Sequence, residues 1–515
     1  MTNRRGAKRA HHACNSRAGP ASSGQSRRIR RNSLPNQRVG TRRIVARFLS
    51  SSCVRPRGRW ENAMSSIKII CPNGHLGFAP LKLESFLRGV EAGPDFIAAD
   101  SGSDDIGPVP LGSDTCTSPE AWQRQDLEAM LLAARRIGVP MIIGSSGDTG
   151  TNSRVDRYVE LIREIASEHG LTPFKLGYFY SEVEKERVRK AVGSSNPVLG
   201  LDGRDALSEA ELDATERIVA MAGVHPFMKL LDEGCDVIIG GRSSDCAIFA
   251  AAALHRGASE ADAYYLGKVL ECASFCAEPY GAKETVLGAV AGSGVTVTAM
   301  HPDQRCTIAS VSGHAMYERS NPYDEFVAGG RLDMRNCHYE QIDARTTKVT
   351  GQRFEPAERI RVKLEGAGKT GERFVGIASV RDPYTIANID QVIAWAKQQT
   401  AERFGNSPYE LFYNVFGKNG VMGELEPVKV PAHELCIVVQ GVAPTVEMAE
   451  EVCMTGTRQL FYARLPEVKG TAGGVAFVLD EVLKASPAYR WTVNHTLAVD
   501  DPLELFPTHT VTIGV

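Results

Sequence analysis

The sequence predicts an α/β fold, namely a parallel sheet with helices on both faces, followed by a smaller α+β C-terminal domain. Up to residue 282, short apolar stretches alternate with amphipathic ones, as in "IKIIC" followed by "LKLESFLRGVEAG". Strands that are apolar throughout are typical of parallel sheets covered on both faces. Beyond residue 283 the stretches are richer in Thr and Val and are separated by glycine turns, which indicates a second domain.

The first domain, residues 64–282, is predicted to alternate strands and helices. The best-defined helix begins near Ser118, a capping residue, with Pro119 at the first helical position, and it ends at Gly138. The predicted strands are 67–71, 95–100, 139–144, 173–180 and 235–241, and the predicted helices are 81–93, 118–138, 154–170, 208–233, 245–257 and 260–276.

The second domain, residues 283–515, is predicted to mix strands with two helices. No low-complexity linker precedes it, so we expect the two domains to pack closely. The predicted strands are 284–301, 306–313, 359–368, 373–380, 435–442, 459–465 and 491–499, and the predicted helices are 390–405 and 445–456.

The first 63 residues form a basic leader. They hold 16 Lys or Arg and one acid, a net charge of +15, against -17 for the rest of the chain. A segment this polar and this charged is predicted to be disordered. Three interpretations are open: the true start is Met64, the leader is an organelle transit peptide, or it is an arm that binds nucleic acid. The protein is then cytoplasmic, or in the mitochondrial matrix in the transit-peptide case, and we consider nucleic acid the least favoured partner.

Cysteine usage and hydropathy also restrict the class of protein. The twelve cysteines show no CxxC spacing, which favours a reduced compartment. Cys272 and Cys276 lie four apart on the predicted helix 260–276, and we interpret them as packed thiols, the alternative being metal ligands. No run of about 18 apolar residues occurs, so no membrane-spanning helix is expected.

Three segments share one plan, in which Gly, Ser and Asp follow an apolar strand. They are "FIAADSGSDDIGP" (96–108), "MIIGSSGDTGTN" (141–152) and "VIIGGRSSDCAIF" (237–249). Turn formation or helix capping explains any one of them. In a parallel sheet the carboxyl ends of the strands meet at one edge, so the three segments together predict a shared site. The predicted site residues there are Asp100, Ser103, Asp104, Asp105, Ser146, Asp148, Thr149, Arg242, Ser243 and Asp245.

Particular residues suggest roles in this site. Asp148 and Asp105 are candidate catalytic carboxylates. Arg242 could hold a substrate carboxylate through two hydrogen bonds from its guanidinium group. Glu271, in the apolar stretch "VLECASFC", needs a polar partner and is a candidate general base. His75 is a further acid or base candidate, with a structural histidine as the alternative. His314 and Glu318 could share a helix face or form an ion pair.

Carboxylates in these segments argue against a phosphate-bearing cofactor. Neither GxGxxG nor a Walker-type lysine motif is present, so the sequence has no nicotinamide or flavin signature. A rim of carboxylates suits a hydroxyl-bearing or cationic ligand, or a divalent metal ion as cofactor. Arg242 is expected to compensate part of the negative charge. On this basis, Asp148→Asn is expected to remove function and leave stability unchanged or higher.

Several of these motifs, taken in order, resemble the acyclic terpene utilisation AtuA family. They are "ADSGSDDIGP", "GSSGDTG", "IIGGRSSD", "LECASFC", "TIASVSGHAMYERSNPYD" and "HTLAVDDPLELFP". The resemblance runs from about Met64 to the C-terminus and implies a catabolic protein. We interpret the protein as a lyase or hydratase acting on a small branched or hydroxylated carboxylate or its thioester. The alternative is a non-catalytic subunit or binding protein for an acyl-CoA carboxylase or lyase. The resemblance also implies a small partner protein, and a homo-oligomer is a further expectation.

Overall fold

The structure, a computed structural model, describes residues 66–194, 197–281, 284–292, 294–317, 319–468 and 474–514. The basic leader and Glu318 lie outside the described residues. Up to residue 282 the elements are β1 (Ile67–Cys71), α1 (Leu83–Glu91), β2 (Phe96–Gly102), a 3-10 helix (Asp104–Ile106), α2 (Pro108–Ser113), α3 (Glu120–Ile137), β3 (Met141–Asp148), α4 (Asn152–Glu168), β4 (Phe174–Phe179), α5 (Lys185–Arg189), β5 (Leu199–Gly200), α6 (Glu209–Asp213), β6 (Arg217–Ala220), α7 (His225–Asp232), β7 (Val237–Gly240), α8 (Asp245–His255) and α9 (Glu260–Leu270).

The later part of the chain has more strands than the part before residue 282. Its elements are β8 (Val286–Val290), β9 (Val295–Ala299), α10 (Ile308–Ala315), β10 (Asp324–Val327), β11 (Gly330–Asp333), β12 (His338–Gln341), β13 (Thr346–Thr350), β14 (Arg353–Pro356), β15 (Arg361–Val380), α11 (Pro383–Ala387), α12 (Ile389–Phe404), β16 (Glu410–Phe416), a second 3-10 helix (Gly423–Leu425), β17 (Leu435–Ala443), α13 (Val446–Tyr462), β18 (Val475–Phe477), β19 (Leu483–Lys484), β20 (Ala488–Ala498) and β21 (Thr508–Ile513).

A ten-stranded mixed sheet forms the centre of the fold. Its order is β12-β13-β9-β8-β1-β2-β3-β7-β4-β21, and β1, β2, β3, β7 and β4 run parallel to one another. This confirms that the strands predicted at 67–71, 95–100, 139–144 and 235–241 share one sheet. The sheet is not purely parallel, because β8 and β21 from the later part of the chain pair antiparallel with β1 and β4. β2 and β3 are buried along their whole length, which explains their apolar sequences.

The long strand β15 organises a second, antiparallel sheet. The order β16-β17-β15-β20-β5 gives its main path, and β6, β18 and β19 also pair with β15. The pairing of β15 with β6 sets Glu365 opposite Val219 and Gly366 opposite Ile218. Residues from the later part of the chain are thereby brought close to the site region. β10, β11 and β14 form a third, smaller sheet. The division into two domains near residue 282 stays a prediction.

Three predicted elements are wrong, each for a local reason. The helix predicted at 208–233 is interrupted by β6, because Ile218, Val219 and Ala220 complete the sheet beside β15. The strand predicted at 306–313 is helix α10, which Thr307 and Ser310 begin with a reciprocal capping box. The strand predicted at 459–465 falls mostly in α13.

Two details near the site also differ from expectation. α3 begins at Glu120 with Pro119 as its cap residue, and the Ser118 side chain is used elsewhere. α9 ends at Leu270, so Cys272 and Cys276 lie in the turns that follow it and not on the helix. Both thiols are free. Among the described residues, no helix is long and apolar enough to cross a membrane.

Candidate functional site

The three segments of shared composition meet at the carboxyl edge of the parallel strands. β2 continues through Gly102, and β3 continues to Asp148, which pairs with Gly102. Backbone hydrogen bonds join the second and third segments, from Ser145 N to Gly241 O (3.0 Å) and from Arg242 N to Gly150 O (3.2 Å). The segments thus form one continuous polar rim.

Left-handed backbone turns shape the segment from Gly144 to Gly150. Ser145 (φ 46°) and Asp148 (φ 73°) are left-handed although neither is glycine, a conformation that costs on the order of 1 kcal/mol each. Gly150 (φ 63°) is required for a second reason, since a Cβ there would lie 2.1 Å from the backbone N of Arg242. The packing against the Arg242 segment therefore depends on this glycine.

Asp148 is a buried carboxylate whose oxygens are saturated with donors. The Ser118 hydroxyl (2.6 Å) and His75 Nε2 (3.2 Å) contact Oδ1. The Thr117 hydroxyl (2.7 Å) and the Ser118 backbone N–H (2.9 Å) donate to Oδ2. Burial raises the pKa of Asp148, but the hydrogen bonds from His75, Ser118 and Thr117 outweigh it and hold the pKa well below its usual range. Asp148 is ionised at neutral pH.

Arg242 is held by Glu365, which sequence reasoning did not identify. Both side chains are buried, and Arg242 Nε and Nη2 donate to the two carboxylate oxygens of Glu365 at 2.8 and 3.3 Å. Lys363 Nζ lies 2.9 Å from the same carboxylate. Burial raises the pKa of Glu365, but Arg242 and Lys363 lower it to about 2. The guanidinium group of Arg242 is thus already paired with a carboxylate of the protein and is not free to hold a substrate carboxylate.

Asp100 and Asp245 form a carboxyl pair beside Arg242. Asp100 is buried, and the Arg242 Nη1 atom lies 3.6 Å from Asp245 Oδ1. Burial, together with the charge of Asp245, raises the pKa of Asp100 well above its usual range, and burial also raises the pKa of Asp245. Asp245 is the less buried of the two, with 37 % of its side chain exposed, so Asp100 is the carboxyl more strongly favoured in its protonated form.

Glu271 is a third carboxyl with a raised pKa, and it is buried. Burial raises its pKa to about 8, with Glu325 and Asp245 adding to the rise and Lys268 opposing it. Lys268 donates a hydrogen bond to Glu271 and lies 3.5 Å from Glu325, which in turn pairs with Arg319 at 2.6 Å. Glu271 therefore has the polar partner that its apolar sequence context required.

Cys272 lies close to Glu271 and to the pair of aspartates. Burial raises the pKa of Cys272 to about 12, and Glu271, Asp245 and Asp100 contribute to the rise. The backbone of Gly74 packs on this cysteine, because a Cβ at Gly74 would lie 2.7 Å from the Cys272 Cα. Asp100, Asp245 and Glu271 form the group that we call the carboxyl cluster.

The remaining predicted site residues are placed as follows. Asp105 is exposed, and its backbone N–H donates to Ser103 Oγ. The neighbouring Asp104 accepts from Lys363 Nζ at 3.1 Å. Ser146 and Ser243 are buried and donate to the carbonyls of Gly240 and Gly241, and the buried Thr149 hydroxyl has no hydrogen-bond partner among the described residues.

A narrow crevice opens at the rim. It has room for about one water molecule, at about 10 Å³, and it is lined by Ser103, Asp104, Ile106, Gly107, Leu111, Asp148, Thr149, Val219, Arg242, Glu365 and Trp491. Asp148, Thr149 and Arg242 therefore share an opening, and Asp105 and Glu271 do not line it. Across the described ranges, no group of three or more His, Cys, Asp or Glu side chains is arranged to hold a metal ion.

Several residues that build the site could not be chosen from local composition. Thr117 and Ser118 precede a helix and read as capping residues, yet they bind Asp148. Glu365 offered a weak signal, because Lys363 and Glu365 alternate with apolar residues on β15 and share one face.

Comparison with known proteins gives one family match, which covers most of the described chain. The model of the family described as acyclic terpene utilisation family protein AtuA matches residues 67–496. No curated protein and no solved structure matches the chain.

Proposed function

Because the chain belongs to the acyclic terpene utilisation family AtuA, we propose that it is a catabolic enzyme of that process. The proposed reaction is that of a lyase or hydratase on a small branched or hydroxylated carboxylate or its thioester. Such reactions move a proton between a carbon atom and an enzyme group, so they need a group that is protonated and a group that is ionised near neutral pH. A cytoplasmic location, a small partner protein and a homo-oligomer stay predictions.

The carboxyl cluster is the observation that carries this proposal. The pKa values of Asp100 and Asp245 are both raised, and the pKa of Glu271 is about 8 because burial outweighs the attraction of Lys268. Groups whose pKa values are displaced toward neutrality by burial and by like charge are enriched at active sites. Glu271 thus keeps the catalytic role expected from the sequence. We assign Asp100 and Asp245 to proton transfer beside it.

In hydration, an ionised carboxylate of the cluster would take a proton from water as the water oxygen bonds to carbon. A protonated carboxyl would give its proton to the adjacent carbon, so that the product has gained one water molecule. The lyase direction is the reverse. Arg242, locked by Glu365, sets the charge around Asp100 and Asp245 and is a positioning residue. Asp148, saturated with donors, fixes the position of His75 and the segment 117–118 in this proposal.

Deuterium exchange tests this function. Purified full-length protein in D₂O, given branched 3-hydroxy carboxylates and their thioesters, should catalyse exchange at the carbon next to the carbonyl, followed by NMR. Glu271→Gln and Asp245→Asn should each lower the rate about 100-fold or more, the usual contribution of acid–base groups. Asp303→Asn removes an exposed carboxylate and should leave the rate unchanged. No exchange by wild type with any such substrate would refute the proposal.

The alternative, a non-catalytic subunit of an acyl-CoA carboxylase or lyase, is favoured by one surface feature. Val421, Leu425 and Val430, in the segment after β16, are 84 %, 81 % and 80 % exposed. Clustered exposed apolar side chains are typical of surfaces that bind a partner. Under this alternative, replacing the three residues by Ser abolishes stimulation of a carboxylase or lyase, and Glu271→Gln has no effect on it.

A further inference from the structure

A second cavity, of about 410 Å³, lies beside the segment that binds Asp148. It is within the size range of small-molecule sites. Its lining comes from three parts of the chain: residues 114–119, the first turn of α3, and the start of α4. The lining residues of α4 are Arg154, Arg157 and Tyr158.

The two arginines of this cavity differ in their partners. Arg157 donates to Glu120, Glu160 and Glu164 at 2.7 to 3.0 Å, so its charge is compensated. Arg154 donates from Nε to Ser153 Oγ at 3.2 Å and lies 4.0 Å from the Asp114 carboxylate. Its two terminal amino groups have no hydrogen-bond partner among the described residues. Arg154 can therefore offer both of these donors to a ligand.

The loop that carries Asp148 also positions Arg154. Gly147 has a φ of 61°, and a Cβ there would lie 3.0 Å from both Cβ and Cδ of Arg154. The stem of Arg154 packs directly against this glycine. The cavity wall is continuous with the Asp148 shell, since Thr117 and Ser118 both line the cavity and donate to Asp148.

The other lining groups limit the charge of a ligand. Burial and the nearby Asp148 raise the pKa of Cys116 to about 12, so its thiol is neutral. Asp114 and Glu120 are ionised, because hydrogen bonds and arginine contacts lower their pKa values. Repulsion from these carboxylates grows with ligand charge, so a dianion is disfavoured relative to a monoanion.

We propose that this cavity binds a small monocarboxylate, whose two oxygens accept from the terminal amino groups of Arg154. Guanidinium and carboxylate match in this two-point geometry. The proposal does not depend on the reaction assigned to the carboxyl cluster, because it concerns binding in a different cavity.

Calorimetric titration of the full-length protein tests the proposal with three probes. These are 3-methylbutanoate, its neutral amide and inorganic phosphate. The carboxylate should bind more tightly than the other two. Arg154→Gln should weaken carboxylate binding at least about ten-fold. Arg154→Lys keeps the charge but loses the two-point geometry of the guanidinium, so its affinity should lie between those of wild type and Arg154→Gln. Arg163→Gln removes the same charge from an exposed position on α4 and should bind as wild type does.

Four results would overturn the proposal: equal binding of the amide, tighter binding of phosphate, equal losses in Arg154→Gln and Arg163→Gln, or absence of carboxylate binding by wild type. Glu271→Gln should leave this binding intact, so failure of the proposed reaction and failure of this site give different results. Circular dichroism of each variant verifies that the fold is retained.

Discussion

Asp148 and the Asp100–Asp245 pair arise from segments of the same composition, yet their pKa values are displaced in opposite directions. Each lies where an apolar strand of the parallel sheet gives way to Gly, Ser and Asp. The pKa of Asp148 is depressed, and those of Asp100 and Asp245 are raised. Local sequence therefore does not decide which carboxylate is ionised.

The difference lies in the donors that reach each carboxylate. Asp148 receives hydroxyl and backbone donors from Thr117 and Ser118, some thirty residues earlier in the chain. Asp100 accepts from its neighbour's backbone N–H and otherwise faces another carboxyl group. The nearest cation, Arg242, is committed to Glu365. A buried carboxyl with few donors favours its protonated form, and the proton is then available for transfer.

Glu365→Ala should have the largest effect, because it leaves the Arg242 guanidinium buried without its main partner. Loss of one member of a buried ion pair costs about 3 to 5 kcal/mol of unfolding free energy, measured by chemical denaturation at pH 7. Arg242 would then be available to Asp100 and Asp245, lowering their pKa values and reducing the contrast with Asp148. The control, Glu355→Ala, breaks an exposed pair with Arg331 and should cost at most about 1 kcal/mol. Equal losses in both variants would show that the buried Arg242–Glu365 pair contributes no more to the unfolding free energy than an exposed pair does.

Asp148→Asn should have the second-largest effect, on stability. The amide nitrogen would face donors where a carboxylate oxygen now accepts, leaving buried N–H or hydroxyl groups unpaired at a cost of about 2 to 3 kcal/mol. The sequence predicted unchanged or higher stability, and we now expect a loss because Thr117 and Ser118 donate hydrogen bonds to Asp148. Asp105→Asn, at an exposed position, should change stability by less than about 0.5 kcal/mol. Wild-type stability in Asp148→Asn would mean that these hydrogen bonds contribute little.

The sequence allowed the parallel strands to be predicted, because a strand buried on both faces is apolar along its length, as β2 and β3 are. It did not reveal that the sheet is mixed. The pairing of β8 with β1 and of β21 with β4 joins segments far apart in the chain, and periodicity carries no information on such partners. The sequence-based prediction missed short elements such as β6 for the same reason, because their pairing partners lie far away in the chain.

Part of the geometry of the candidate site could also be predicted, while the roles of its residues stay predictions. That three Gly/Ser/Asp segments meet follows from strand direction, and Glu271 followed from a charge in an apolar context. The protonation of Asp148 and Asp100 could not be predicted, because it depends on which distant residues donate to them. Glu365 lies more than a hundred residues from its partner Arg242.

Glu271→Gln should have the smallest effect on stability at acidic pH, since Glu271 is protonated there and glutamine resembles the protonated acid. Its ordinary pKa is 4.5 and the folded value is about 8, so the folded state holds the proton more tightly than the unfolded state. The stability that Glu271 contributes is thus fully present below pH 4.5 and is lost as pH rises to 8. Denaturation across this range should show Glu271→Gln gaining stability relative to wild type as pH increases. A pH-independent difference would contradict the raised pKa.

The central claim, that carboxyl groups of the cluster keep protons near neutral pH, can be measured directly. Carbon-13 NMR of protein labelled at Asp and Glu side-chain carboxyls would follow each group as pH is varied. We expect wild type to show carboxyl signals still protonated at pH 7. Asp245→Asn should lower the pKa of Asp100, because it removes the neighbouring charge that raises it, and Glu271→Gln should remove the signal that titrates near pH 8. If every carboxyl in the folded protein is ionised at pH 7, the account is contradicted.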